Sequence, residues 1–207
     1  MFKSINSKSI QTYFDLICRD GFITAEIGKY LQLNQENILG GDEYNSHNKD
    51  ITYVKIDLNQ SKIDLMDNHI DLITCFVVLH HVPDLDLMLR EIVRIMRLNG
   101  YLIVREHDCK KERSLTNKYL NFIHAFMRIA EIGEYAHRSN DNSTNDWELQ
   151  KKEIIEETSS IQYRTRQEWK KKLEEVGFCL IAEIDYDSNI KNPQVLYHHV
   201  YQLKNKQ

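Results

Sequence analysis

Two short polar segments carry the residue types that could do acid–base chemistry. His80 and His81 stand together, and Glu106, His107 and Asp108 follow one another further along the chain. Histidine exchanges a proton near neutral pH, and a positioned histidine or carboxylate can accept one from a reacting group. We therefore take His81, His107 and Asp108 as candidate catalytic residues. The alternative interpretations are that the histidine pair packs at a helix entry and that Asp108 caps a helix.

The elements around these segments predict that both lie at one edge of a sheet. Residues 71–79 and 101–104 are apolar runs, which are typical of strands buried on both faces. Between them, apolar residues from position 85 recur at helical spacing until Asn99 and Gly100 end the helix. A strand, a helix and a strand with such short connections predict a right-handed parallel crossover. Ligands of such sheets bind beyond the carboxyl ends of the strands, which is where both polar segments lie.

The rest of the chain continues the alternation of strands and helices, which predicts an α/β domain. A helical insertion is expected at about 110–160, before a helix that Thr165 caps, and the last two strands are predicted to pair antiparallel. The predicted strands other than the two above are 13–17, 38–41, 51–56, 178–186 and 195–203.

Size and composition predict one domain over residues 1–207, without an obvious macromolecular partner. The net charge of -4 and the even balance of charges in the insertion do not indicate nucleic-acid binding. The four cysteines are widely scattered, so neither a metal site nor a disulfide framework is expected. We find no signal peptide and no apolar run that could span a bilayer, so we expect a cytoplasmic protein.

The central segments resemble a known enzyme family. Residues 70–84 are similar to the fourth-strand motif of class I S-adenosylmethionine-dependent methyltransferases, in the methyltransferase 11 or ubiquinone-biosynthesis branch. Residues 88–103 are similar to the helix and fifth strand that follow, and residues 163–178 to the helix before the sixth strand. The resemblance implies a Rossmann-like, seven-stranded, mostly parallel sheet of order 3-2-1-4-5-7-6, with helices on both faces.

The same resemblance implies a cofactor site for S-adenosylmethionine. Asp42 matches the family's acidic residue that accepts hydrogen bonds from the ribose hydroxyls. Asp57 matches the acidic residue near the adenine amino group, with Leu58 beside the ring. Asp15 and Gly21 are the remaining candidates, near the methionine end.

The glycine-rich motif of the family is altered in this chain. The pattern Asp-x-Gly-x-Gly-x-Gly aligns with Asp15 to Gly21, and two of its three glycines are replaced, by Ile17 and Arg19. Glycines in such loops supply positive φ angles or let a ligand lie against bare backbone. We therefore expect either a different loop path or two side chains that project toward the cofactor.

Two functions from different classes follow. The first is methyl transfer from S-adenosylmethionine, with a small molecule as the expected acceptor and a protein or an RNA end as lesser alternatives. The second is a catalytically inactive methyltransferase-fold subunit that binds or regulates a protein partner. A Rossmann dehydrogenase ranks third, because Gly-x-Gly-x-x-Gly is absent.

Overall fold

A mixed sheet with helices around it forms the body of the computed structural model. The structure describes residues 5–45, 47–110, 114–135, 147–185 and 194–206. In chain order, the strands are β1 (Tyr13–Leu16), β2 (Ile38–Asp42), β3 (Thr52–Asp57), β4 (Lys62–Ile63), β5 (Ile70–Phe76), β6 (Met96–His107), β7 (Phe178–Asp185) and β8 (Leu196–Leu203). The α-helices are α1 (Phe22–Tyr30), α2 (Leu85–Ile95), α3 (Leu115–Ile129), α4 (Trp147–Ser160) and α5 (Arg166–Glu175).

The strand order is β4-β3-β2-β1-β5-β6-β8-β7. Strands β3, β2, β1, β5 and β6 are parallel, whereas β8 runs antiparallel between β6 and β7. The predicted fold class is confirmed, and the predicted order is recovered once β4 is set aside. The predicted count of seven strands is wrong by this one addition. The chain turns back after β3 and pairs two residues antiparallel with it, and a strand so short leaves no periodic pattern in a sequence.

The predicted crossover between the central strands is confirmed. Strand β5 pairs with β1 on one side and with β6 on the other, so it lies in the interior of the sheet. Helix α2 connects β5 to β6, and the Asp84 side chain caps its start by accepting a hydrogen bond from the Leu87 amide at 3.0 Å. The predicted helix end at Asn99 and Gly100 is wrong. The helix ends at Ile95, because Met96 already pairs with Ile70 as the start of a longer β6.

The helical insertion leaves the sheet and returns to it at one place. It leaves after β6, contains α3 and α4, and returns through residues 161–165 into α5. The Cys109 amide donates to the Arg164 carbonyl at 3.1 Å, and the Gln162 amide donates to the His80 carbonyl at 2.8 Å. These two bonds join the end of the insertion to the carboxyl ends of β5 and β6.

Helix α5 begins as the sequence predicts. The Thr165 hydroxyl accepts from the Glu168 amide, and the Glu168 carboxylate accepts from the Thr165 amide at 2.7 Å, which is a capping box. The inward face of the helix buries Trp169 and Leu173. This packing fixes the position of the segment just before the helix.

A membrane span has no candidate among the described helices, because none combines the necessary length and apolar character.

Candidate functional site

The loop between β1 and α1 has positive φ angles at both replaced glycine positions and at the glycine that remains. Ile17 has a φ of 58°, Arg19 a φ of 55° and Gly21 a φ of 69°. All three lie in the left-handed region, which costs a residue with a Cβ about 1–2 kcal/mol relative to the right-handed region. The backbone therefore takes up positive φ angles at the two positions where the family pattern has glycine.

Hydrogen bonds to the neighbouring strand hold this strained loop in place. The Cys18 amide donates to the Gly41 carbonyl at 2.9 Å, and the Arg19 amide donates to Oδ2 of Asp42, also at 2.9 Å. The Asn48 side chain donates to the Asp20 carbonyl at 3.0 Å. Arg19 itself is exposed, whereas Ile17 is half-buried and packs against the main core. The loop thus stays ordered by contacts of its backbone.

Asp15 is buried beneath the loop. Its carboxylate accepts hydrogen bonds from the Thr24 hydroxyl at 2.6 Å and the Thr74 hydroxyl at 2.5 Å. The Thr74 oxygen also lies 2.8 Å from the Tyr13 hydroxyl. Burial raises the pKa of Asp15 to about 6, although the two threonine hydroxyls counteract this rise. The side chain therefore joins β1, β5 and α1 beneath the loop.

Asp42 and Asp57 stand at the carboxyl ends of neighbouring strands, β2 and β3, and both are half-buried. Besides the bond from Arg19, Asp42 accepts from the Glu43 amide at 2.8 Å. Asp57 accepts from the Gln60 amide at 3.0 Å. Each carboxylate keeps further lone pairs for a ligand, since an ionised carboxylate offers about four acceptor sites.

Leu58 follows Asp57 and is half-buried against the main core. Gly21 is the residue before α1, and a Cβ at this position would lie 2.4 Å from the Ile51 side chain. Leu58 therefore lies at the carboxyl end of β3, whereas Gly21 packs against Ile51, the residue before that strand. Gly21 is required there by its positive φ and by the close side chain.

A buried histidine–glutamate pair joins the ends of β5 and β6. His80 Nδ1 lies 2.7 Å from Glu106 Oε2, and both side chains are 1% exposed. The Glu106 carboxylate also accepts hydrogen bonds from the Leu79 backbone amide at 2.9 Å and from the His107 backbone amide at 3.3 Å. Burial raises the pKa of Glu106, although the nearby histidines counteract the rise.

Four histidines gather around this pair, and we call His80, His81, His107 and His124 the histidine cluster. From the ring of His80, the ring centroids lie 4.2 Å away for His81, 5.4 Å for His107 and 5.6 Å for His124. His81 and His124 are 5.2 Å apart. The structure thus brings two of the predicted catalytic residues, His81 and His107, into one group.

His107 is buried and oriented by a backbone carbonyl. Its Nδ1 lies 2.8 Å from the Gln194 carbonyl oxygen, which assigns the proton to Nδ1 and leaves the lone pair on Nε2. Burial lowers the pKa of His107 to about 4, even though Glu106 opposes this shift. The imidazole is therefore neutral at pH 7.

The insertion contributes His124 and Tyr163 to the same place. His124 lies on α3, and its Nδ1 is 2.8 Å from the Leu120 carbonyl oxygen and 2.9 Å from the Tyr163 hydroxyl. The Tyr163 ring stacks on His80 with centroids 5.6 Å apart. Sequence reasoning missed His124. The available signal was its spacing four residues after Leu120, the other buried residue of α3.

Asp108, the third predicted catalytic residue, has a different environment from His81 and His107. Its Oδ1 accepts from the Arg166 amide at 2.9 Å, at the first residue of α5, and its Oδ2 lies 3.7 Å from the Arg166 guanidinium. The carboxylate is thus engaged with the start of α5, which agrees with the alternative capping interpretation.

Comparison with known proteins identifies the same architecture elsewhere. Residues 26–104 match a family model described as a methyltransferase domain. Among solved structures, a S-adenosylmethionine-dependent methyltransferase from Aquifex aeolicus is 15% identical, with 93% of this chain and 82% of that chain covered and a TM-score of 0.56. A chain in the complex of the Haloferax volcanii Trm112 methyltransferase activator with a protein described as a methyltransferase is 10% identical. That match covers 96% of this chain and 87% of that chain, with a TM-score of 0.62.

A third structure was solved with a bound ligand. The trans-methyltransferase CalH in complex with SAH is 14% identical, with 94% of this chain and 51% of that chain covered and a TM-score of 0.59. A search of curated proteins by sequence found no match. At these identities the structural matches establish the fold, and together with the family match they confirm the resemblance described above.

Proposed function

We propose that this chain transfers a methyl group from S-adenosylmethionine to a small-molecule acceptor. The proposal is based on its class I S-adenosylmethionine-dependent methyltransferase fold and on the methyltransferase domain match over residues 26–104. The observation that carries the proposal is the left-handed backbone at Ile17 and Arg19. The loop keeps the conformation that glycines normally supply, although its side chains have changed.

The cofactor site of this proposal lies at the carboxyl ends of β1, β2 and β3. Asp42 would accept hydrogen bonds from the ribose hydroxyls, for which a carboxylate is suited because it offers acceptors only. Asp57 would lie near the adenine amino group, with Leu58 beside the ring, and Gly21 near the methionine end. Asp15 has both oxygens engaged with threonines, so we assign it the role of positioning the loop.

The acceptor site would lie at the carboxyl ends of β5 and β6. Methyl transfer from a sulfonium is an in-line displacement, so the protein supplies proximity, orientation and a dry site. We propose that Nε2 of His107 accepts the acceptor's proton and that His81 lines the site, since His81 is the half-buried member of the pair that follows β5. Asp108 would hold the start of α5 beside the site.

The inactive-subunit alternative is not adopted. It rested in part on the loss of two glycines, but the loop keeps positive φ angles at Ile17 and Arg19, the Ile17 side chain packs against the main core, and the Arg19 side chain is exposed. A protein partner is a second proposal of its own. It is supported by exposed apolar side chains on α3, Phe122 and Phe126, whose rings stack at 6.5 Å.

Cofactor binding is tested by titration calorimetry with S-adenosylmethionine on the full chain. We expect binding by the wild type and at least about tenfold weaker binding by Asp42→Asn and Asp57→Asn, since a hydrogen bond to a charged group contributes about 1.5–3 kcal/mol. Asp64→Asn is the matched control, because Asp64 is an exposed aspartate of the β4–β5 connection. The absence of heat at millimolar cofactor, or equal affinity in all four proteins, would contradict the proposal.

The acceptor class is tested with methyl-labelled S-adenosylmethionine and a cell extract. After incubation, the low-mass, protein and nucleic-acid fractions are separated and counted. We expect label in the low-mass fraction and a large loss of it with His107→Gln. Label confined to the protein or nucleic-acid fraction would instead contradict a small-molecule acceptor.

A further inference from the structure

Three members of the histidine cluster come close enough for metal binding. His80, His81 and His124 each offer a ring nitrogen, and these nitrogens all lie within 4.8 Å of one another. Tetrahedral zinc with Zn–N distances of about 2.0–2.1 Å requires its ligand atoms to be about 3.3 Å apart. Metal binding would therefore have to draw the nitrogens together by at most about 1.5 Å. The three side chains therefore have a separation that one ion could close.

In His80 and His124, one ring nitrogen of each imidazole already has a hydrogen-bond partner in the protein. Nδ1 of His80 faces Glu106, and Nδ1 of His124 faces the Leu120 carbonyl and the Tyr163 hydroxyl. In both residues Nε2 is therefore the ring nitrogen on the side away from these partners. The Nε2 atoms of His80 and His81 are buried from solvent. Metal-binding histidines commonly donate their other N–H to a carboxylate or a backbone carbonyl, as both His80 and His124 are arranged to do here.

The charge balance of the site also favours a cation. Glu106 is completely buried, and in the described part of the chain its ion-pair partner is His80 rather than a lysine or an arginine. A buried carboxylate is normally compensated by a cation or by metal coordination. A divalent ion bound to the three imidazoles would place two positive charges beside this carboxylate. No acidic residue belongs to the ligand group itself, so the donor set is purely imidazole.

We propose that His80, His81 and His124 bind a divalent transition-metal ion, of which Zn²⁺ is the best match. Neutral imidazole is a preferred ligand of zinc, whereas magnesium and calcium require oxygen ligands. Three protein ligands leave a coordination position for water or for an oxygen or nitrogen of a bound molecule, as in catalytic zinc sites. The site departs from the expectation of no metal site, which was based on the spacing of the cysteines.

The location of the site gives it a use within the proposed function. It lies at the carboxyl ends of β5 and β6, beside His107, where the acceptor was proposed to bind. A zinc ion there would hold an acceptor oxygen and lower its pKa. This use rests on the proposed function, but the presence of the metal site does not.

Metal binding is therefore tested without cofactor or acceptor. The full chain is treated with a chelator and desalted, and Zn²⁺ and Co²⁺ are titrated by calorimetry, with visible absorption of Co²⁺ as a second readout. We expect one equivalent of metal and the absorption of a tetrahedral Co²⁺ site. His81→Gln and His124→Gln should each weaken binding by more than the roughly 10–100-fold that loss of an outer partner costs, and Glu106→Gln should weaken it within that range.

Two control variants separate the site from other histidines. His47→Gln removes an exposed histidine, and His199→Gln removes a buried histidine of β8 that lies outside the cluster. Both variants should still bind one equivalent of metal. If His124→Gln fails to fold, as judged by circular dichroism, the half-buried His81 still provides the test. Absence of binding by the wild type, retention of binding in His81→Gln, or an equal loss in His47→Gln would each overturn the proposal.

These results are independent of the methyltransferase proposal. Zinc binding without any affinity for S-adenosylmethionine would support the metal site and contradict the proposed methyl transfer. Binding of S-adenosylmethionine without zinc binding would support the cofactor site and contradict the metal site.

Discussion

Replacement of Arg19 by glycine should stabilise the protein relative to replacement by alanine. Arg19 has a φ of 55° and an exposed side chain, so its removal costs little packing. Alanine keeps the Cβ and its left-handed strain, which costs about 1–2 kcal/mol, whereas glycine relieves the strain. Glycine also gains about 0.4–1 kcal/mol of freedom in the unfolded chain, which opposes folding. The net expectation is that Arg19→Gly has a free energy of unfolding about 1 kcal/mol above that of Arg19→Ala.

Urea unfolding monitored by circular dichroism measures this difference. In a domain of this size, 1 kcal/mol corresponds to about 2–4 °C in the melting temperature, which gives a second readout. Gln32 provides the matched control, because it is exposed, has a φ of 57° and follows α1, away from the loop. The free energy of unfolding of Gln32→Gly should exceed that of Gln32→Ala by a similar amount.

The two positions should differ in cofactor binding. The Arg19 amide donates to Asp42, so the backbone at 19 contributes to the proposed ribose site, whereas Gln32 does not. We expect Arg19→Gly to bind S-adenosylmethionine at least as tightly as the wild type, and Gln32→Gly to leave affinity unchanged. If Arg19→Gly were no more stable than Arg19→Ala while the Gln32 pair behaved as expected, the left-handed conformation at 19 would be refuted.

Three further predictions concern single side chains. Burial raises the pKa of Asp15 to about 6 from 3.8, so the folded state takes up this proton first and its contribution to stability is present below pH 3.8 and lost as pH rises through about 6. Unfolding titrations of wild type against Asp15→Asn should show the free energy of unfolding of the wild type rising by about 2 kcal/mol relative to the variant between pH 7 and pH 4; a flat difference would contradict this. Thr165→Ala removes the cap of α5 and should lower the free energy of unfolding by about 1–2 kcal/mol in urea, and an unchanged midpoint would exclude the cap as a stabilising contact. Trp169→Ala empties a position that is 1% exposed and should cost about 3–5 kcal/mol by the same assay, whereas a loss below 1 kcal/mol would mean that the core collapses to fill the space.

The sequence predicted the central strands of the sheet well because the apolar runs and the residues that end each element indicated the same boundaries there. The apolar runs before His80 and before Glu106 each identified a buried strand, and their carboxyl ends meet as the crossover rule requires. The family resemblance supplied the order of the outer strands. Strand β4 was missed because its two residues pair through a turn geometry that leaves no repeating pattern.

The candidate site was predicted only in part, since long-range packing assembles it. His107 and His81 were identified from their positions after strands, which are local signals. His124 arrives from the insertion, far along the chain, and a single histidine on an amphipathic helix does not reveal which element it will meet. The threonine partners that bury Asp15 were equally hidden, because Thr24 and Thr74 come from different elements.

The hydrogen bonds that join both ends of the insertion to one point of the sheet have an evolutionary consequence. Cys109 at the departure and Arg164 at the return are held together by a backbone bond, so the excursion between them is closed at its base. Doubling the length of a closed segment costs only about 0.6 kcal/mol in chain entropy. Changes in the length of this segment should therefore cost little stability, so that the proposed acceptor side can diverge between related proteins while the proposed cofactor side is retained.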